Sequence, residues 1–175
     1  MHNLSKLFIL GLLMFANLTI MAQVRIPGTK VSFEFPHNGW KYQSTMEIDN
    51  NTTLYLYAFA GDYVIDAVGD TILPYMRIYV RKNFKGSIYD LAYSRFMQQP
   101  FEALNNYTAK QAGTEMLGYV GAYTSTLDKK DYQFRMVYFK DKETAFEIRL
   151  ESTYDTYSKM DDEFESILKT INIEK

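Results

Sequence analysis

The stretch from Phe146 to Ile171, FEIRLESTYDTYSKMDDEFESILKTI, changes period part-way along, and that change decides the fold class. Phe146, Ile148 and Leu150 first alternate with Glu147, Arg149 and Glu151, the repeat of two expected of a strand with one apolar face. From about Thr156 to Thr170 the apolar positions move to helical spacing. Tyr157, Met160, Phe164, Ile167, Leu168 and Ile171 then form one stripe. Asp161, Asp162, Glu163 and Glu165 fall towards the first half of that helix, where acids complement the dipole, and read as a solvated face.

Upstream, Lys140-Asp-Lys-Glu143 and Asp128-Lys-Lys-Asp131 are polar turns of hairpin length. They separate Ala145–Ser152, Tyr132–Phe139 and Thr114–Leu127, so these segments predict a three-strand meander, with Gly118 and Gly121 marking a bulge or bend. Ser87 to Gln99 returns to helical spacing through Ile88, Leu91, Ala92 and Phe96, with Ser87 placed to cap it and Pro100 just beyond. Before it, Tyr75–Lys82 sets Met76, Ile78 and Val80 on one face and Tyr75, Arg77, Tyr79 and Arg81 on the other. Thr53–Phe59, apolar or aromatic on both faces, is expected near the middle of the sheet. Lys30–Phe35 alternates up to Pro36, which cannot donate to a ladder. His37-Asn-Gly39 then predicts a tight turn into Trp40–Gln43, the two segments forming a hairpin with Gly39 in a backbone conformation larger residues resist. Short connections throughout predict an antiparallel sheet and the α+β class.

The first residues read differently. Lys6 precedes the apolar run Leu7–Phe15, and the small residue Ala22 precedes Gln23, which is the pattern of a secretory signal peptide over residues 1–22. Asn17 and Thr19 interrupt the run before it reaches the roughly 20 apolar residues a membrane anchor needs. Residues 23–175 are then a single exported domain, periplasmic or secreted, with no stable membrane insertion once the leader is removed. The chain has no cysteine, so it has neither a lipid-attachment cysteine nor disulfides, and stability must come from packing. The formal net charge is −2, and the leader holds a Lys but no acid, so the remainder is slightly more acidic still. That balance argues against a nucleic-acid partner, which demands a concentrated basic footprint. The 15 Tyr and 12 Phe suit pleated, half-buried faces.

Several of these segments together resemble the PsbP-like superfamily. They are the opening FEFPHNGW with Phe33, Pro36 and Gly39-Trp40, the YVRKNFKGSIYDLA passage into the first helix, the meander with charged turns, and the closing strand and helix quoted above. The resemblance spans about Lys30 to Ile171. It implies an antiparallel sheet of about six to seven strands flanked by helices as an α/β/α sandwich. Members of that superfamily act mostly as binding or assembly modules, and fold alone does not transmit a role.

Candidate chemistry is sparse. A metal site needs three or four converging ligands, and past the leader His37 has neither a second histidine nor a cysteine to join it. His37 therefore reads as a turn residue and Trp40 as a core anchor. Asp62, Asp66 and Asp70 do not match a calcium loop and read as a solvated loop between Gly61 and Leu73. The most specific surface is the row Tyr75, Arg77, Tyr79 and Arg81, because Tyr and Arg offer large contacts and Arg grips carboxylates. These residues are the candidate ligand- or partner-binding set, either exposed or folded over by the following helix. No catalytic residues, metal ligands or cofactors are expected. The expected role is a non-enzymatic exported domain that binds or helps assemble another envelope protein. The alternatives are a small-ligand binder for an anionic or sugar-like molecule, on that row or on the loop from Gly61 to Leu73, and a hydrolase with an unmarked site.

Overall fold

The computed structural model describes residues 22–60 and 64–175. In chain order these form β1 (Ala22–Arg25), β2 (Val31–Phe35), β3 (Trp40–Asp49), β4 (Thr52–Phe59), β5 (Val64–Ile65), β6 (Thr71–Ile72) and β7 (Tyr75–Arg81). There follow α1 (Ile88–Gln98), β8 (Glu102–Gln111), β9 (Thr114–Thr124), β10 (Asp131–Asp141), β11 (Thr144–Thr153), α2 (Tyr154–Lys169) and β12 (Asn172–Ile173). Residues 1–21 of the expected signal peptide, and Asp62, lie outside the described residues.

Seven strands make one antiparallel sheet in the order β3-β4-β7-β11-β10-β9-β8. A helix packs on each face, which gives the α+β class and antiparallel sheet expected from the sequence, with a strand number inside the six to seven that the PsbP-like resemblance implies. The larger core lies between the sheet and α2. There Met76, Ile78 and Val80 of β7 and Phe146, Ile148 and Leu150 of β11 meet the Tyr157, Met160, Phe164, Ile167 and Leu168 stripe. Each such side chain contributes about 1.5–3 kcal/mol on burial, before conformational entropy is subtracted. The smaller core lies under α1, where Ile88, Leu91 and Ala92 meet Leu117, Phe134, Met136 and Tyr138. Ser87 caps α1 as expected: its Oγ accepts from Asp90 N at 3.1 Å while Asp90 Oδ2 accepts from Ser87 N at 2.8 Å, a reciprocal box that satisfies two orphan donors.

Four expectations need correction. First, β2 and β3 do not form a hairpin. β2 pairs with β1 and with β12 in a separate three-stranded sheet, packed on the α2 side of the large sheet through Val31, Phe33 and Phe35. β3 instead pairs with β4. Gly39 has no positive φ; a Cβ there would run into the Phe59 ring, so close approach rather than backbone conformation requires glycine. Second, β4 lies next to the edge, and the central strand is β11. Third, the meander has a further strand, β8, whose sequence EALNNYTAKQ has no apolar alternation because it is a largely exposed edge. The bulge sits on β8 between Ala103 and Asn105, whereas Gly118 and Gly121 of β9 make room for the rings of Tyr107 and Phe134. Fourth, the acids of α2 are not merely solvated. Arg135 holds Asp161 at 3.0 Å, and Glu163 serves Trp40 and His37.

Candidate functional site

β11 explains how the site is built. Its apolar residues face α2, so the period of two turns Glu147, Arg149 and Glu151 to the α1 face. Because β11 is central, all three are buried there. Burying charge is costly unless it is paired, and the partners come from three neighbouring elements. Arg95 of α1 donates its Nε–H to Glu147 Oε2 at 2.7 Å. Arg77 of β7 forms an ion pair with Glu151. On the far side, Tyr123 of β9 donates its hydroxyl to Glu151 Oε2 at 3.2 Å. Arg149 Nη2 donates to Gln99 Oε1 at 3.2 Å, just past the end of α1. Antiparallel register places Arg77 and Arg149 directly opposite each other. Burial, and after it the facing charge of Arg149, lower the pKa of the Arg77 guanidinium from its ordinary value.

The predicted row divides along its length. All four side chains lie half-buried on the α1 face. Tyr79 is roofed by Arg95, whose guanidinium carbon sits 4.5 Å from the ring centroid, a cation–π contact. Arg81 stacks on Phe84 at 5.1 Å. Tyr79, Arg81, Arg95 and Glu147 border a recess of only about 110 Å3, well below the roughly 300 Å3 at which small-molecule pockets begin. Arg77 opens instead into a groove of about 1100 Å3, which Tyr79 also borders. Tyr75 lines neither space among those described.

The groove runs between two walls. One is the end of α1 and the chain after it, Gln98 to Glu102. The other is the end of β9 and its turn, Ala122 to Leu127, with Asp131 beyond it. Arg77 and Arg149 form its floor and Tyr154, at the start of α2, stands at its end. The β9–β10 turn is firmly held. Lys130 Nζ binds Asp66 Oδ2 at 2.7 Å and Asp70 Oδ2 at 3.2 Å, and these bonds raise the lysine's pKa and lower that of Asp66. Asp66 is therefore paired rather than solvated, while Asp70 is mostly exposed. Within the turn Tyr132 donates to Asp128 Oδ2 at 2.7 Å. Hydrogen bonds from Ser125 and Tyr132 pull Asp128 down to about 2. Burial and that same bond push Tyr132 up to about 12. On this braced turn Leu127 is 95% exposed.

Sequence reading placed Arg77 and Tyr79 in the site. It missed Arg149, Glu151, Arg95, Gln99 and Tyr123, which sit on other strands and at a helix end. The available signal was the charged alternation of β11, informative only once that strand is known to be central. His37 lies elsewhere, on the α2 side, with Nε2 3.0 Å from Glu163 Oε2 and Nδ1 accepting from Gly39 N at 3.2 Å. Among the described residues no group of three or more His, Cys, Asp or Glu side chains is placed to hold a metal.

No family model matches the chain, and no curated protein matches it by sequence. Solved structures do. Cyanobacterial PsbP from Synechocystis matches with a TM-score of 0.58 at 8% identity, over 91% of this chain and 95% of that one. PA94 from Pseudomonas aeruginosa, a protein of unknown function, matches with a TM-score of 0.57 at 11% identity, over 89% of this chain and 98% of that one. LpqN of Mycobacterium tuberculosis, involved in cell envelope biogenesis, matches with a TM-score of 0.53 at 12% identity, over 88% of this chain and 90% of that one. The chain has the PsbP-like fold.

Proposed function

We propose that this chain is an exported, non-catalytic domain that docks onto another protein of the cell envelope through the groove between α1 and the β9–β10 turn. The observation that carries this reading is the groove itself. Its volume of about 1100 Å3 exceeds the roughly 300–1000 Å3 of small-molecule pockets, and it is open rather than enclosed. Its floor is polar and held by ion pairs, and Leu127 and Tyr154 project at its border as large exposed side chains. Exposed apolar and aromatic groups around a polar, preorganised floor suit protein docking. Export is supported by the Lys6, Leu7–Phe15 and Ala22 pattern. No helix among the described residues is long and apolar enough to cross a membrane. The fold shared with LpqN is compatible with envelope work and carries no role by itself.

The test is site-specific photocrosslinking in the intact envelope. A crosslinker at Leu127 or Tyr154 should give one discrete adduct, identified by mass spectrometry. One at Gln43 on the distant β3 edge should give none. Absence of an adduct at both groove positions, or the same adducts from all three, would refute groove docking. Export is tested separately: the envelope fraction should hold a chain beginning at Gln23.

A further inference from the structure

In the buried layer beneath the groove, guanidiniums outnumber carboxylates. Three guanidiniums, Arg77, Arg95 and Arg149, meet two carboxylates, Glu147 and Glu151. Glu147 is taken by Arg95. Glu151 alone must serve both Arg77 and Arg149, which face each other across β7 and β11, a like-charged pairing that destabilises a sheet unless it is compensated. The Arg149 side chain is only 5% exposed. Its Nε lies 3.3 Å from Glu151 Oε2 without hydrogen-bond alignment and has no hydrogen-bond partner among the described residues. A buried donor left unpaired on a guanidinium is costly, and the residue that carries it is one of those lining the groove.

We propose that the groove takes a carboxylate group, gripped by Arg149 and Arg77, as the anchoring feature of the docked partner. A guanidinium's planar donors match a carboxylate. Glu102 and Asp131 also border the groove, and their charge disfavours a phosphate dianion more than a singly charged carboxylate. Tyr123, which lines the groove and stacks on Tyr132 with centroids 5.6 Å apart, offers a ring surface to the chain that carries the carboxylate. This inference rests on the groove being the docking surface. The carboxylate can come from a chain end or from an acidic side chain.

Arginine Nε–H spectra of the full chain, labelled with nitrogen-15 arginine, test it at constant ionic strength. Three probes are used: N-acetyl-dialanine with a free carboxyl terminus, the α-amide of N-acetyl-glutamate with only a side-chain carboxylate, and inorganic phosphate. At least one carboxylate probe should shift the Arg149 Nε–H signal saturably, and which one does so identifies the source. Phosphate should bind more weakly. Arg149→Lys, which keeps the charge but loses the fork, should abolish the saturable shift read on the Arg77 Nε–H signal, and Gln43→Ala, on the exposed β3 edge, should leave both responses intact. No saturable shift from either carboxylate, or tighter binding of phosphate, overturns the inference. If a crosslinked partner is found but the probes fail, only the carboxylate assignment falls. If the probes bind and no adduct forms, only the docking reading falls.

Discussion

Trp40 donates its indole N–H to Glu163 Oε1 at 2.6 Å, so the first residue of β3 is fastened to the middle of α2. The ring is 5% exposed and stacks on Phe35 with centroids 5.4 Å apart and planes 7° from parallel. One residue thereby ties the three-stranded sheet, the large sheet and the helix together. Trp40→Ala should lower stability by roughly 3–5 kcal/mol, the usual cost of emptying a core aromatic position. Trp40→Phe keeps most of the packing and should lose about 1.5–3 kcal/mol, the worth of a hydrogen bond to a charged group. Urea unfolding measures both, and an unchanged midpoint for Trp40→Ala would remove Trp40 from the core.

Glu147→Ala strands Arg95 and removes the compensation it shares with a buried strand. Breaking one side of a buried pair costs about 3–5 kcal/mol, more than the pair contributes net, because a charge is left behind. The double variant Glu147→Ala/Arg95→Ala should recover part of that loss. A double-mutant cycle with no coupling between the two positions would show that the pair is not acting as a unit.

Asp128 and Tyr132 predict a defined pH window. The Asp128 pKa is depressed to about 2, so its contribution is complete above the unfolded carboxyl value of about 3.9 and fades as pH falls towards 2. The Tyr132 pKa is raised to about 12, so its contribution is complete below the unfolded phenol value of about 10 and fades as pH rises towards 12. Tyr132→Phe should flatten the melting-temperature profile between about pH 10 and 12, and it should shift the acid limb of Asp128 upwards in pH. A variant whose alkaline limb matches the wild type would break this assignment.

Gly121→Ala places a Cβ 2.5 Å from Phe134 Cζ and 2.9 Å from the Glu102 carbonyl oxygen. The ring can shift and the backbone oxygen cannot, so overpacking of about 1–3 kcal/mol is expected. Chemical denaturation reads it directly. A neutral result would mean that β8 is free to move away from β9 at its bulge.

The alternation of Tyr75–Arg81, the capping role of Ser87 and the stripe of α2 were legible because each is a local pattern with a short period. The partners of β2 were not. Pro36 and His37-Asn-Gly39 do end the strand, but nothing local specifies that its neighbours are Ala22–Arg25 and Asn172–Ile173. β8 was invisible for a different reason, since an exposed edge strand has no apolar face to repeat. The groove was half legible. Arg77 and Tyr79 stand in a readable row, whereas Arg149 and Glu151 look like the wet side of an amphipathic strand until β11 is known to be central. Solvation follows from strand order, which no window of sequence contains.

The pairing of Ser32 with Asn172 and of Val31 with Ile173 sets an order of assembly. Closing so long a loop costs entropy that nearer contacts do not, so this small clasp should form after the β9–β10–β11 hairpins have collapsed on α2. Pulse-labelled hydrogen exchange during refolding should find the amide of Ile148 protected before that of Glu174, which donates to the Lys30 carbonyl across the clasp. Until the clasp engages, the nascent body has an unlatched flank.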